Sequence, residues 1–282
     1  MLPLVAEAAV LKVTQTAVRV RLIGEDEPVT IRALVYDGIV PGEIATVDIA
    51  KRWRFSRHDY ASGRITAVRL DVARLGLVPL PLHDQGAWLP TPIEPDEIFG
   101  VSAAVHATLP RTALPECEME QIIPGEDPDD PDWGTDPAIL SSDLANAGDM
   151  DEAAEVLARA VALDLRYLDG HAHMGNLLLR YGRDDYHVGM ALRHYAVGAA
   201  IGRSFLPPGF SGYLRAGSVN NRPFHRCLHG LALCQGAAGD HAAAERTLRE
   251  LLRYDPEDRS GAEQLLDELG RGDTSRWLND RG

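Results

Sequence analysis

The sequence of 282 residues lacks several features that mark common classes of protein. It has only three cysteines, Cys117, Cys227 and Cys234, without the paired spacing of a structural zinc site, so we expect reduced thiols and no disulfide scaffold. No apolar run approaches the ~20 residues of a membrane helix. The opening residues also lack the basic start of a signal peptide. These absences predict a cytoplasmic protein with no membrane partner.

Signatures of catalysis are missing too. The chain has no GxSxG, Walker A, GxGxxG or paired-carboxylate pattern. His225 and His229 are four residues apart in a predicted helix that also carries Cys227 and Cys234, and side chains at that spacing can share a metal. The glutamate of HExxH is absent, and such a helix has ordinary places for all four residues. We therefore predict no enzyme activity, no metal and no cofactor.

Positive charge is scarce, and negative charge is concentrated in one segment. The net charge is -14, and residues 111–136 contain nine acidic residues but only one arginine. The same segment is rich in proline, which cannot lie in a helix interior or in a paired central strand. We predict an acidic, proline-rich linker at residues 110–136. Its DPDDPD sequence lacks the glycine and the distal glutamate of a calcium-binding loop, and the acidic balance gives no reason to expect DNA as a partner.

Short strands with turn signals between them precede this linker. The chain alternates at 13–22, and further runs rich in apolar and β-branched residues follow at 29–36, 44–49 and 64–70. Asp-Gly and Pro-Gly pairs mark turns, whereas SRHDYASG is predicted as a loop. Since no helical pattern separates the strands, residues 1–109 are predicted to form a small antiparallel β-barrel of the OB or SH3 kind.

One segment of this predicted barrel has a recognisable pattern. It reads VYDGIVPGE at residues 35–43 and continues IATVDIAKRWRFSRHDYASGRI. This pattern resembles the TRAM domain, an OB-like RNA-binding barrel that is appended to several RNA-modifying enzymes. The matching positions are Pro41, Gly42, Glu43, Tyr60 and Ala61. The resemblance implies an RNA partner, although the chain has LIGEDEPVT where the family has a glycine-rich opening.

The basic part of the same segment favours RNA on chemical grounds as well. Cations that can neutralise phosphates stand beside aromatic rings on which bases can stack. The candidate RNA-binding residues are Lys51, Arg52, Trp53, Arg54, Phe55 and Arg57. The alternative interpretation is an exposed loop whose aromatic rings cap the end of the barrel. The net acidic N-terminal part favours this alternative.

After the linker, alanine and leucine recur at helical spacing and the sequence repeats. Helix pairs are predicted on either side of Gly148 and of Gly239, with a middle unit at 170–202. The last pair resembles the tetratricopeptide repeat (TPR) in its small residues, turn glycine and final proline. These residues are Ala232, Gly239, Ala244, Leu248, Leu251 and Pro256. The resemblance implies a stack of helical hairpins.

A second resemblance lies in the third repeat. Residues 220–234 read NNRPFHRCLHGLALC, which is similar to suppressor-of-tumorigenicity-type repeat proteins and their bacterial relatives, and this implies no defined chemistry. With a final helix predicted at 261–270, the three repeats reach the number that a stable stack needs. The predicted fold class is α+β multidomain, with a small antiparallel β-barrel followed by an α-helical TPR-like array at 137–282. We expect the array to fold without the N-terminal part.

The concave face of such an array is the candidate binding surface. Its polar residues are Ser142, Asn146, Asn176, Arg180, Arg226 and His229. They either bind an extended peptide or a helix of a protein partner, or form a solvated face. An insertion at 203–221 adds Phe205, Phe210 and Tyr213, which either cap this groove or pack on the helices.

These features predict a non-enzymatic cytoplasmic adaptor that binds a protein partner through its array, with the barrel as an accessory module. The alternative function is that of an RNA- or ribosome-associated factor, which contacts RNA through the barrel. A third reading is an enzyme of unrecognised type that uses the histidines near the insertion.

Overall fold

The structure is a computed structural model that describes residues 4–14, 16–32, 38–89, 112–125, 135–274 and 277–278. These residues form a closed five-stranded barrel, a two-stranded sheet and seven α-helices. The predicted α+β architecture, with an N-terminal barrel and a C-terminal helical region, is confirmed. Among the described helices, none combines the length and the apolar character that a bilayer crossing needs.

The barrel follows from the alternation of apolar and polar residues. Its strands are β1 (Leu4–Val13), β2 (Val18–Leu22), β3 (Pro28–Arg32), β4 (Ile44–Phe55) and β5 (His58–Arg69). They close in the order β1-β2-β3-β5-β4, and the β3–β5 pair is parallel whereas the other pairs are antiparallel. Alternate side chains such as Val20, Ile31 and Val47 fill the interior. Burial of this apolar surface holds the barrel together.

The strand boundaries differ from the sequence prediction at two places. The alternation at 13–22 spans a turn, in which the backbone N–H of Thr14 donates to the carbonyl of Ala17, and the residues before it form β1. The segment SRHDYASG is mostly strand and not a loop, with a tight turn at Ser56 (φ 57°). No apolar alternation marks this strand pair, because it extends beyond the barrel core. The predicted strand residues 33–36 lie outside the described part of the chain.

Residues 114–119, predicted as part of the linker, form a strand instead. β6 (Leu82–Trp88) pairs antiparallel with β7 (Leu114–Met119) in a separate two-stranded sheet. Cys117 and Met119 alternate with glutamates and are buried. The sequence analysis missed this period-two pattern because the segment is rich in prolines and charged residues. β6 therefore lies outside the barrel, and the predicted boundary at 109–110 lies outside the described residues.

The helices follow one another along the chain, and successive helices pack against each other. They are α1 (Pro137–Ala147), α2 (Met150–Leu163), α3 (Leu168–Tyr181), α4 (Asp185–Ser204), α5 (Arg222–Ala237), α6 (His241–Tyr254) and α7 (Ala262–Gly270). Gly148 and Gly239 lie in the turns of the first and third pairs at φ 99° and 82°, a left-handed conformation that favours glycine. The Asp136 side chain accepts a hydrogen bond from the N–H of Ala138 and so caps α1.

The repeated small residues lie where the helices approach one another most closely. Ala153, Ala191 and Ala244 are fully buried. A Cβ atom at Gly175 or at Gly230 would overlap the ring of Tyr195. Because both glycines lack that atom, the Tyr195 ring of α4 packs against α3 and α5 together. Small residues therefore set the spacing of the helices, as the sequence repeats predicted.

The insertion at 203–221 packs on the helices and on β7. Phe205 and Tyr213 are buried, and the ring of Phe210 lies 6.3 Å from that of Tyr254. The N–H of Tyr213 donates to the carbonyl of Pro115 at 2.8 Å, and Tyr213 accepts from Cys117 at 2.9 Å. Of the two roles considered for these aromatic rings, the structure favours packing.

The barrel packs directly on the helical region. Glu43 is only 4% exposed, and its carboxylate lies 2.6 Å from the guanidinium of Arg193 on α4. Gly42, at φ 91°, packs so closely on Val197 that a Cβ would overlap this side chain. Val40 from the barrel belongs to the same apolar cluster as the helix residues. The barrel and the helices therefore contact each other through this apolar cluster, while the residues that fill the barrel form a cluster of their own.

Candidate binding groove and barrel hairpin

A groove of about 470 Å³ lies between α1, α3 and α5, and Trp277 and Leu278 complete its wall. We call it the array groove. It brings together all six residues predicted to bind a partner: Ser142, Asn146, Asn176, Arg180, Arg226 and His229. Two residues from each of three helices meet here because side chains three or four positions apart share one helix face. The residues are correctly grouped, and their function stays a prediction.

Arg180 connects two helices at one end of the array groove. Its guanidinium donates to the Asn146 side-chain oxygen at 3.2 Å and to the Ala145 carbonyl at 3.1 Å. Both acceptors are neutral, and no carboxylate of the described residues lies within ion-pair distance of Arg180. Within the described part of the chain, its positive charge is therefore held in place by neutral acceptors alone.

Asn176 is fixed from the other side by α4. The hydroxyl of Tyr195 donates to the Asn176 side-chain oxygen at 2.6 Å. Burial raises the pKa of Tyr195 well above its usual value, so the hydroxyl keeps its proton and remains a donor. Asn176 itself is exposed. A buried tyrosine thus orients an accessible amide.

The opposite end of the groove holds a compensated charge. Arg226 donates to both carboxylate oxygens of Asp169 at 2.6 and 2.8 Å. His173 lies 3.7 Å from Asp169, and its other ring nitrogen lies 3.3 Å from the Ser142 hydroxyl. Burial lowers the pKa of His173 although Asp169 opposes this effect, so the ring is neutral near pH 7. This end of the groove therefore presents polar groups whose charges are paired with each other.

Sequence reasoning missed several groove residues, among them His173, Tyr195 and Trp277. His171 and His173 are two residues apart and lie on different faces of α3, so that His171 is buried whereas His173 lines the groove. Tyr195 is a buried core residue whose hydroxyl contacts Asn176 in the groove. Trp277 follows the last helix, where its ring packs against Gly236 and its N–H donates to Glu268 at 2.9 Å. No periodic pattern marks such a contact.

The four residues considered for metal binding have other roles. His225 is buried with Nε2 2.5 Å from the Leu214 carbonyl, and burial lowers its pKa to about 4. Cys227 and Cys234 are buried thiols, and burial raises the pKa of both. His229 lines the array groove. The described residues contain no cluster of three metal-ligating side chains.

All six candidate RNA-binding residues lie at the tip of the β4–β5 pair, which we call the barrel hairpin (residues 51–60). The rings of Trp53 and Tyr60 stack at 5.8 Å between centroids and 12° between planes. The guanidinium of Arg32 lies 5.6 Å from the Tyr60 ring. Phe55 is 71% exposed. Phe55 therefore does not cap the barrel, and the hairpin presents its own aromatic surface.

The cations of the barrel hairpin are only partly compensated. Arg52 pairs with both oxygens of Glu25 at 2.8 and 2.9 Å. Arg54 lies 3.6 Å from Asp59. Lys51 and Arg57 are exposed and have no ion pair within the described part of the chain. Two of the four cations are therefore available to a phosphate.

The tripeptide at the centre of the barrel resemblance lies elsewhere. Pro41, Gly42 and Glu43 are buried at the junction with α4, where the Glu43 side chain also accepts from the N–H of Val40 at 2.9 Å. In this protein the tripeptide contacts the array and is not available to a nucleic acid. Tyr60 and Ala61, the other matching residues, lie in β5.

Comparison of the chain with models of protein families gives no match, and comparison with curated proteins gives none either. The interpretation of the two surfaces therefore depends on their geometry and chemistry.

Proposed function

We propose that the protein is a non-enzymatic cytoplasmic adaptor whose TPR-like array binds an extended peptide or a helix of a protein partner in the array groove. The observation that carries the proposal is the meeting of six polar side chains, two from each of three helices, in one groove of about 470 Å³. Grooves of this size that combine apolar walls with a few placed polar groups are typical binding sites. The barrel is proposed as an OB- or TRAM-like accessory module.

The pairing of the helices supports the TPR-like description. Three successive pairs of helices are followed by a final helix, and small residues occupy the close contacts. Arrays of this type bind their partners along the face that successive first helices share. α1, α3 and α5 are the first helices of their pairs, and they are the helices that line the groove.

Among the described residues, one arrangement resembles a catalytic triad, and its contacts favour binding over catalysis. Ser142 and His173 lie in the groove wall, and Asp169 lies behind His173 at 3.7 Å. However, the Ser142 hydroxyl is also bonded to the Ala138 carbonyl of its own helix at 2.9 Å, and Asp169 is engaged by Arg226. A nucleophile needs a base that is oriented by a third group. Here the carboxylate is held by Arg226, and the three groups together with Arg226 connect α1, α3 and α5.

A peptide library tests the proposal. Random heptapeptides displayed on phage are selected on the full-length protein. We expect enriched peptides that no longer bind Asn146→Trp, because the indole would fill the groove at an exposed position. The matched control is Glu152→Trp, at an exposed position on α2 outside the groove. Equal loss in both variants, or enrichment of no peptide, would contradict the proposal.

A second function, that of an RNA- or ribosome-associated factor, has its own supporting observation. The barrel hairpin joins the fourth and fifth strands, and OB-type barrels bind oligonucleotides through this connection. Its stacked Trp53 and Tyr60, exposed Phe55 and uncompensated Lys51 and Arg57 supply ring faces and charge. Fluorescent oligouridylate titrated with the full-length protein at low salt tests this function. Absence of binding there would eliminate it.

A further inference from the structure

A second cavity, of about 400 Å³, lies between the first half of α5, the insertion and the connection between α6 and α7. We call it the basic pocket. Its lining from α5 follows the spacing i, i+3, i+4 and i+7 and consists of Arg222, His225, Arg226 and His229. This spacing places all four on one face of the helix. Arg259, from the connection, lines the same pocket, so three arginines from two parts of the chain surround one cavity.

The three guanidinium groups keep most of their N–H donors for a ligand. Arg222 donates through Nε to a backbone carbonyl at 3.1 Å, and it has no ion pair within the described residues. Arg226 contacts Asp169 through one terminal nitrogen, and Arg259 contacts Glu257 through Nε. Because a guanidinium has five N–H groups, each arginine has at least three that are not used in these bonds.

The charge of the pocket favours an anion. No carboxylate is among the described residues that line it, although the chain has a net charge of -14. Asp169 and Glu257 lie outside the lining, and Glu257 is shared between Arg259 and Arg215. Burial lowers the pKa of His225 to about 4, so this imidazole is neutral near pH 7. Donors that carry a net positive charge bind an anionic acceptor more strongly than a neutral one.

The number of donors indicates which anion fits. A phosphate monoester has three strong acceptor oxygens and a charge near -2, whereas a carboxylate has two oxygens and a single charge. The planar guanidinium is suited to phosphate. A nucleic acid would need a basic surface that continues beyond the pocket, and the acidic balance of the chain does not favour one. The volume of about 400 Å³ is that of a small-molecule site.

We propose that the basic pocket binds the phosphate group of a small phosphorylated molecule, with Arg222, Arg226 and Arg259 as donors to its oxygens. The remainder of the molecule would lie against the alkyl parts of the arginine side chains and against Ala216. The proposal does not depend on the adaptor function, although Arg226 and His229 also line the array groove.

Isothermal titration calorimetry with the full-length protein at low salt provides the test. The probes are inorganic phosphate, methyl phosphate, dimethyl phosphate and acetate. We expect the first two to bind, and dimethyl phosphate and acetate to bind at least about tenfold more weakly, because each offers fewer charged oxygens to the three arginines.

Arg222→Gln connects the binding to the pocket. It removes the arginine without an ion pair and should weaken phosphate binding by about tenfold or more. The matched control is Arg246→Gln, at an exposed arginine of α6 that lies outside the pocket and should leave the affinity unchanged. Circular dichroism melts identify any loss of folding. Arg222→Lys, which keeps the charge but loses the planar fork, is the second variant and should also bind phosphate more weakly than the parent.

Each possible failure has its own signature. Absence of phosphate binding up to about 10 mM, or equal losses in Arg222→Gln and Arg246→Gln, would overturn the proposal. Dimethyl phosphate that binds as tightly as methyl phosphate would overturn the choice of a monoester. A phosphoserine peptide that binds more than about tenfold tighter than free phosphoserine would overturn the choice of a small molecule. Asn146→Trp, which blocks the array groove, should leave phosphate binding unchanged, so that failure of the adaptor function is distinguishable from failure of this proposal.

Discussion

The array groove and the barrel hairpin both gather polar residues, but they hold them differently. In the groove, Arg180 is bonded to α1 and Asn176 is bonded to a tyrosine of α4, so each group is fixed by a neighbouring helix. In the hairpin, Trp53 and Arg54 contact residues of the same hairpin, and Phe55 projects into solvent. Fixed groups lose less conformational entropy on binding. We therefore expect the side chains of the array groove to lose less conformational entropy on binding than those of the barrel hairpin.

The two regions should also differ in their response to acid, and this is the largest effect that we expect. His171, His194 and His225 are buried in the array. Burial lowers the pKa of His171 and His225 to about 4, and lowers that of His194 well below its usual value with help from His171 and Arg193. The unfolded chain takes up these protons near pH 6.5. Stability is therefore complete above pH 6.5 and is lost as the pH falls toward 4, by up to about 3 kcal/mol for each of His171 and His225, and His194 contributes in the same direction.

Hydrogen exchange at pH 7 and pH 5, corrected for intrinsic rates, checks this expectation by region. Protection should fall in α3, α4 and α5 and persist in the barrel strands, since the described barrel histidine, His58, is exposed. An equal fall in both regions would show that they respond to acid as one unit.

Asp255 changes the stability in the opposite direction as the pH falls, and its substitution provides a second test. Burial raises its pKa to about 6, with Glu257 adding to the effect. Between pH 6 and the unfolded value of 3.8 the folded chain holds the extra proton, so acid relieves the cost of burying this carboxylate. In Asp255→Asn this relief is gone. The loss of stability between pH 6 and 4 should then be steeper than in the parent protein when denaturant midpoints are compared.

Removal of strand β7 should destabilise the array more than it affects the barrel hairpin. Asn221 is fully buried, and its side chain accepts from the N–H of Met119 at 2.9 Å and donates to the carbonyl of Cys117 at 3.0 Å. A fragment of residues 112–282 keeps both bonds, whereas 137–282 leaves this amide without them. We expect 112–282 to be more stable by about 2 to 4 kcal/mol, as two buried hydrogen bonds imply. Urea melts of the two fragments measure this difference, and coincident melts would refute it.

Local patterns predicted much of this molecule. Alternation placed most of the barrel strands, and glycines at the turns placed the helix pairs. The groove residues were found because helical spacing alone puts Ser142 beside Asn146 and Asn176 beside Arg180. The contacts that hold these groups were not predictable, since Asn176 to Tyr195 and Asp169 to Arg226 depend on how separate helices pack.

The longest-range contacts escaped sequence analysis altogether. β7 pairs with β6 and with Tyr213, nearly a hundred residues further along the chain. Glu43 and Arg193 come into contact only when the barrel packs against α4. Neither contact leaves a periodic trace in the sequence, because each depends on the meeting of two surfaces and not on one element. The same holds for Trp277, whose place beside Gly236 depends on the whole stack.

Substitution of one small residue tests how tightly the helices of the array pack. Ala244 is fully buried on α6, so Ala244→Leu should destabilise the protein by about 1 to 3 kcal/mol through overpacking. Ala242→Leu, at an exposed position two residues away, is the control and should change stability little. Thermal melts followed at 222 nm compare the variants, using the far-ultraviolet signal of helices. Similar melting of both would mean that α6 does not pack through Ala244.

The smallest effect that we expect is a change in the salt dependence of RNA binding by the barrel hairpin. It tests whether the charged side chains of the hairpin contact RNA. Lys51 and Arg57 have no ion pair within the described residues, whereas Arg52 is held by Glu25. Each phosphate neutralised on a single strand contributes about -0.7 to the slope of log affinity against log salt. The double change of Lys51 and Arg57 to Ala should therefore flatten that slope by about 1.4. Arg52→Ala should flatten it less, because the contact with Glu25 must break before Arg52 meets a phosphate.

Trp53→Ala completes this comparison. Stacking of a base is worth about 1 to 3 kcal/mol and is nearly independent of salt, so this variant should bind more weakly at every salt concentration while its slope stays the same. Anisotropy titrations of fluorescent oligouridylate with the full-length protein supply all the slopes. An Arg52→Ala slope as flat as that of the double variant would show that the Glu25 pair opens freely in the presence of RNA. Identical slopes for the parent and the double variant would remove Lys51 and Arg57 from the RNA-binding surface.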